Sequence, residues 1–313
     1  MNLVQTLGKG VPAAVLKGST LTVALVFLQT VLPVIGLPAG VLAPFPCIFY
    51  SLKFGRKAGY AIVIIVVATL AAVDRSALLL YLLQSVACSL LLPELLLRGK
   101  GAYRATVYSV AANALILLLY VVMLGHLQSV GIDGQIRAIA HDAMKQVSEA
   151  YRQSGMSGTD LTGLETVLAR TEDVLIMIYP ALLLIFLVIC AGCNLLLLQR
   201  VAGSMGTGPA LGRFSCFRNP DALVWLLIVP GFALLTDVAV VDRVAMNIVA
   251  IVSFLYLIQG IAVVTWFTRK HSLPRFLMVL LFVMLLIQPV FAVLLAAVGL
   301  IDLWADFRAP KKQ

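Results

Sequence analysis

The sequence predicts an all-α fold: a polytopic transmembrane helical bundle of about nine spans with an extracytoplasmic helical hairpin. Three observations carry that expectation. Of the 313 residues, 62% are hydrophobic and only 12% charged, whereas soluble domains hold roughly 45–50% and 25%. The apolar residues also form uninterrupted runs, where a water-soluble core would scatter them at helix or strand period. Finally, the net charge of +9 sits in short loops between those runs, which is how a membrane protein records its orientation.

A helix needs ~20 residues to cross a ~30 Å hydrocarbon core. The first span is expected from residue 12 or 18 to 36, behind Lys9 and Lys17. Those lysines resemble the basic start of a signal peptide, but the next apolar segment begins at once, so an uncleaved first helix is expected. Residues 37–52 form a short second segment interrupted by Pro38, Pro44 and Pro46. Such breaks survive at membrane depth only where neighbours satisfy the freed backbone groups.

After Lys53, Arg56 and Lys57, residues 59–73 and 76–92 are expected to form a hairpin about the Asp74-Arg75 turn. A fifth span, 105–124, follows Arg98, Lys100 and Arg104. Spans at 174–198, 222–236, 243–267 and 276–300 complete the set. With the N-terminus in the cytoplasm all four short basic loops lie inside, and Arg75 and Arg243 are the only positives in short outer turns. The tail with Arg308, Lys311 and Lys312 then ends outside. An eight-span arrangement, with the Pro289-bearing last segment re-entrant, returns it to the inside.

Between His126 and Asp173 the chain is polar and net negative, with Arg137, Lys145, Arg152 and Arg170 against seven acids. An extracytoplasmic place suits it. Ile132, Ile136, Ile139, Ala143, Val147 and Tyr151 recur at helical spacing and lay one apolar stripe. A break at 154–158 follows, and Thr162-x-x-Glu165 has the pattern of a capping box that would open a second helix.

The chemistry that is missing narrows the function. His126, His141 and His271 lie far apart and on both sides of the membrane, so no shared metal site is expected. No hydrolase or nucleotide-binding motif appears. The expectation is therefore no enzyme, no cofactor and no metal. Nucleic acid is not an expected partner either, because its basic footprint belongs on a soluble face. Cys190-x-x-Cys193 lies deep in a span, where buried cysteine behaves as a small hydrophobe. Glu94, Asp237 and Asp242 sit at helix ends, within snorkelling reach of the interface.

What remains inside the spans is neutral and polar. Asn247, Tyr256 and Gln259, with Asn194 and Asn113, are the candidates for binding a small uncharged or zwitterionic solute. Gln84, Tyr108 and Gln288 complete the set. The competing reading for each is a helix-to-helix hydrogen bond, worth ~0.6 kcal/mol on average. Gly10, Ala14 and Gly18, spaced four apart, would permit close approach of a helix from this chain or from a membrane partner.

From about residue 217 the chain resembles the YybS-like family of uncharacterised bacterial membrane proteins. Asn219-Pro220 with Leu223-Val224-Trp225, the stretch 255–263, and the closing Gly299-x-x-Asp302-x-Trp304-x-Asp306-Phe307-Arg308 carry the resemblance. That family is distantly similar to the substrate-binding S components of energy-coupling-factor transporters, whose core is six helices. The resemblance implies a six-helix membrane region over 1–198, interrupted by the insert 126–173, and a three-helix region over 199–313. It also implies a prokaryotic inner-membrane location, and a first helix whose Gly10, Ala14 and Gly18 meet a partner subunit. The alternative is a membrane scaffold or assembly factor with no ligand.

Overall fold

The structure is a computed structural model, and it describes residues 3–127, 131–154, 159–201, 211–236 and 238–308. Among these residues every regular element is helical. In chain order they are α1 (Leu3–Val31), α2 (Pro33–Val41), α3 (Phe45–Phe54), α4 (Arg56–Val73), α5 (Arg75–Gln84), α6 (Val86–Leu97) and α7 (Ala102–Leu127). Then come α8 (Ile132–Gln153), α9 (Thr159–Val201), α10 (Trp225–Ala233), α11 (Ala239–Lys270), α12 (Arg275–Ile287) and α13 (Pro289–Ala305).

Seven segments are long and apolar enough to cross a membrane: Val11–Val31, Gly36–Phe54, Arg56–Val73, Arg75–Leu97, Ala102–His126, Asp160–Val201 and Ala239–Lys270. The expected nine continuous spans are not reproduced. Where 222–236 was expected to cross, the apolar helix runs only from Asp221 to Ala233, a 3-10 turn leading into α10, about 20 Å at ~1.5–2 Å per residue and short of a ~30 Å hydrocarbon core. The expected span 276–300 is two helices bent by 114°. Pro289 lacks an N–H and forces the preceding Gln288 into an extended conformation, φ −128° and ψ 105°, which ends α12. Counting that bent pair as one span gives eight.

The chain divides into two compact units. The first holds residues 1–123 and 186–212, the second 124–185 and 213–313. The helix α9 contributes its two halves to different units.

In the first unit α2 folds back on α1. A Cβ on Gly36 would stand 2.7 Å from Gln29 Cα, a backbone atom, so glycine is required at that crossing, while one on Gly40 would push the Gln29 side chain aside. The turn at 42–44 and Pro44 then launch α3. Val26, Ala43, Cys47, Ile62, Val66, Leu70 and Tyr81 form the apolar core. Asp74 caps α5, its Oδ1 accepting from Ser76 N at 2.8 Å, which fixes the expected turn between α4 and α5. The fourth span is broken at Ser85, where α5 gives way to α6.

In the second unit α11 and α13 cross in backbone contact. A Cβ on Gly299 would lie 2.7 Å from Gly260 N, and one on Gly260 would lie 2.7 Å from the Leu295 carbonyl carbon. The helix α8 runs antiparallel to the first half of α9, bridged by Arg152 to Glu165 at 2.5 Å, His141 to Glu172 at 3.2 Å and Arg137 to Asp173 at 3.5 Å. Here the capping-box expectation needs correction: α9 begins at Thr159, so Thr162 and Glu165 lie inside it. Glu165 is drawn across to Arg152 and Ser148 instead. Part of the expected break, residues 155–158, and Asp237 lie outside the described residues, as do the terminal lysines.

Candidate functional site

Lipid offers no hydrogen bonds, so every break in a membrane helix leaves backbone groups that the protein itself must satisfy. The three asparagines singled out by sequence each meet such a break. Asn113 Nδ2 donates to Gln84 O at 2.7 Å, and its Oδ1 accepts from Ala87 N at 3.1 Å. It thereby completes the interruption between α5 and α6. Asn194 Nδ2 donates to Val41 O at 2.7 Å, the carbonyl at the end of α2. Asn247 Oδ1 accepts from Ala181 N at 2.7 Å and its Nδ2 donates to Met177 O at 2.8 Å. Those two backbone groups flank Pro180, the proline inside α9.

The five candidates are divided between the two units. Asn113 and Asn194 belong to the first unit. Asn247, Tyr256 and Gln259 share α11 in the second, but Asn247 precedes Gln259 by twelve residues, about 18 Å of helix. Tyr256 and Gln259 stand together, one turn apart and both buried.

Around Tyr256 and Gln259 the three stretches that carried the family resemblance converge. Gln259 Oε1 accepts from Asn219 N at 2.9 Å, while Gln259 Nε2 donates to Asp302 Oδ2 at 3.0 Å. Asn219 Nδ2 donates to Leu255 O at 2.9 Å. Arg308 reaches Asp302 Oδ2 at 2.6 Å and the carbonyls of Phe217 and Ser215 at 2.7 and 3.1 Å. Asp302 is fully buried, so its charge depends on that guanidinium. The closing motif is thus a joint that ties the end of α13 to α11 and to the segment 215–219.

The first unit holds a different kind of polar interior. Gln29 Nε2 donates to Gln84 Oε1 at 3.1 Å, and the Gln84 carboxamide adjoins the Cys190 thiol. Cys190 Sγ donates to Val41 O at 3.2 Å, and Asn194 Nδ2 lies 3.9 Å from that sulfur. Gln84, Cys190 and Asn194 therefore form one cluster, linked through the Gln84 carbonyl to Asn113. Two of its atoms, Gln84 Nε2 and Asn194 Oδ1, are buried without a hydrogen-bond partner, as are Ser19 Oγ and Thr22 Oγ1 on α1. An unmatched donor and an unmatched acceptor at membrane depth cost ~1–3 kcal/mol each until something neutral and polar meets them.

Some of this was hidden in the sequence. Gln84 was one polar residue among several, and Cys190 read as a hydrophobe; only the fold places them beside Asn194. Ala14 is buried, and a Cβ on Gly18 would lie 2.6 Å from Ile62 Cδ1 and 2.9 Å from Tyr50 Cδ2. This chain's own α3 and α4 occupy that face at Gly18. Gly10 lies in α1. The five cysteines are free, and the described residues contain no cluster of three metal-ligating side chains.

Glu94 departs from its expected snorkelling. It is 9% exposed and is held by Arg98 Nε at 2.6 Å, Arg56 Nε at 3.1 Å and the Tyr60 hydroxyl at 3.4 Å. A pocket of about 10 Å³ beside it is lined by Ser51, Gly59 and Ser89, room for about one water. Between α8 and the first half of α9 lies an open cleft of about 270 Å³, lined by Lys145, Glu149, Arg152, Glu165 and Glu172 together with apolar side chains such as Met144 and Leu168.

Apolar helices of spanning length, with breaks closed by asparagine carboxamides, define a polytopic α-helical membrane protein. The chain belongs to the family described as Predicted membrane protein (DUF2232), whose model matches residues 20–303. Comparison with curated proteins and with solved structures gives no match.

Proposed function

We propose that this membrane protein binds a small uncharged or zwitterionic solute in the polar interior of its first unit. The observation that carries the proposal is the pair of buried, unmatched atoms beside Cys190, the donor Gln84 Nε2 and the acceptor Asn194 Oδ1. A solute presenting a carbonyl or hydroxyl to the first and an N–H or hydroxyl to the second would relieve both. Nothing charged is needed, because the side chains of Gln29, Gln84 and Asn194 around the two atoms are neutral carboxamides.

The resemblance to S components fits this reading, since those proteins bind solutes and hand them to partner subunits. On that basis the protein belongs in a prokaryotic inner membrane, with the basic loops inside and α8 outside. It performs no covalent chemistry.

The test is the melting temperature of the purified protein across vitamins, amino acids and nucleosides. A true ligand at 100 times its Kd adds about 2.7 kcal/mol. The expected result is a saturable rise for one solute class that Gln84→Leu abolishes while remaining folded. A second reading rests on α8, where Ile139 is 67% and Tyr151 44% exposed on the apolar stripe. A scaffold that docks partners through that stripe would give no solute response, and loss of partners on Ile139→Glu.

A further inference from the structure

We propose that the basic end of the first unit, where the α3–α4 and α6–α7 turns meet, binds the phosphate of an anionic phospholipid. The binding groups are Arg56 and Arg98, both aimed by Glu94. This is independent of the solute site.

Glu94 draws the two turns together because Arg98 pairs with its Oε1 and Arg56 with its Oε2. Both arginines approach the carboxylate through Nε, Arg98 at 2.6 Å and Arg56 at 3.1 Å. The side chains of Arg56 and Arg98 remain 47% and 60% exposed. A guanidinium fixed along one edge presents its remaining N–H groups as a preformed fork, the geometry that suits phosphate oxygens. Two such forks, joined through one carboxylate, make a two-armed cradle.

Charge favours an anion there. Lys53, Arg56, Lys57, Arg98, Lys100 and Arg104 stand against the single carboxylate of Glu94, a net +5 over these two turns. Such a concentration repels itself, and a bound phosphate removes part of that cost.

The surroundings favour a lipid over a soluble phosphate. The turns lie where spans Gly36–Phe54, Arg56–Val73, Arg75–Leu97 and Ala102–His126 begin or end. Tyr60 and Tyr103 are 45% and 49% exposed there, as side chains of an interfacial aromatic belt are. One helical turn further along, Ile64 and Val107 are 67% and 45% exposed. Each tyrosine therefore continues into an apolar track on which an acyl chain can lie. Basic pockets between helices at a membrane surface are suited to acidic headgroups.

The test uses the full-length protein in phosphatidylcholine micelles titrated with phosphatidylglycerol, with retained lipid counted by native mass spectrometry. Phosphatidylglycerol should be retained and phosphatidylcholine exchanged. Arg56→Gln with Arg98→Gln should weaken retention by about 25-fold, taking about fivefold for each cation. Glu94→Gln adds a net positive charge yet should weaken retention, because the forks lose their orientation. The charge-conserving pair Arg56→Lys and Arg98→Lys should weaken it too, and gives the same answer if Glu94→Gln does not fold. Retention unchanged or tighter in the folded variants overturns the cradle. Inorganic phosphate or glycerol 3-phosphate, titrated without phosphatidylglycerol, should leave the melting temperature unmoved. A rise equal to that with phosphatidylglycerol overturns the lipid assignment.

Discussion

Replacing Gly299 by alanine tests the tightest crossing in the second unit. The added Cβ would lie 2.7 Å from Gly260 N and 3.0 Å from the Tyr256 carbonyl carbon, with the Tyr256 oxygen nearer still. All three are backbone atoms, so no side chain can rotate away and the helices must separate. Overpacking of this kind costs typically 1–3 kcal/mol, against a gain of up to about 1 kcal/mol from alanine's better helix propensity. The steric cost wins, and the separation also stretches the 3.0 Å bond from Gln259 to Asp302. For a unit of this size a net loss near 2 kcal/mol lowers the melting temperature by about 4–8 °C. Fluorescence-detected thermal unfolding in detergent measures it, with Gly192→Ala as the control, since a Cβ there meets nothing within 4 Å. If Gly299→Ala melts at or above the wild-type temperature, the backbone contact between α11 and α13 is refuted.

Three further outcomes follow from the polar joints. Asn247→Leu strands Ala181 N and Met177 O at membrane depth and should cost about 1–3 kcal/mol, read as a fall in detergent melting temperature; an unchanged value would mean that α9 closes its own bond at Pro180. Asp302→Asn removes the buried partner of Arg308 and should destabilise by about 3–5 kcal/mol, with Asp302→Leu/Arg308→Leu recovering part of that loss in the same assay. The hydrogen bonds from Arg243 hold the Asp133 carboxyl down at about 2, with a lesser share from Tyr179. Because that value lies below the ~3.9 of an unfolded aspartate, the pair's stabilisation is complete above pH 4 and fades only as pH falls toward 2. Protease digestion of α8 should therefore be equal at pH 8 and pH 5, and faster at both in Asp133→Asn. The effect is small, since the Asp133 side chain is 52% exposed and solvent screens the pair.

Hydropathy made the fold class plain, because runs of spanning length have no other stable solution in lipid. It could not separate a helix from a broken one. Residues 276–300 are apolar throughout, yet Pro289 turns them by 114°, and 222–236 ends early at Ala233. Proline at least flags the breaks at 180 and 289. Nothing local flags the one at Ser85, whose exposed backbone groups are met by Asn113 from a helix 26 residues on. The same limit hid the sites. Asn219, Gln259, Asp302 and Arg308 were visible as motif letters, but their meeting depends on how α11 and α13 cross. Glu94 looked like a carboxylate at a helix end, and only the proximity of Arg56 turned it inward.

On the proposed function, Gln84 Nε2 and Asn194 Oδ1 stand unmatched to receive a neutral solute. An experimental density map of the full-length protein in lipid nanodiscs, with the best solute from the thermal screen added, tests it directly. Density larger than a water is expected within hydrogen-bond distance of both Gln84 Nε2 and Asn194 Oδ1. A map in which those two atoms are closed onto each other or onto neighbouring side chains, with no room between, would contradict it.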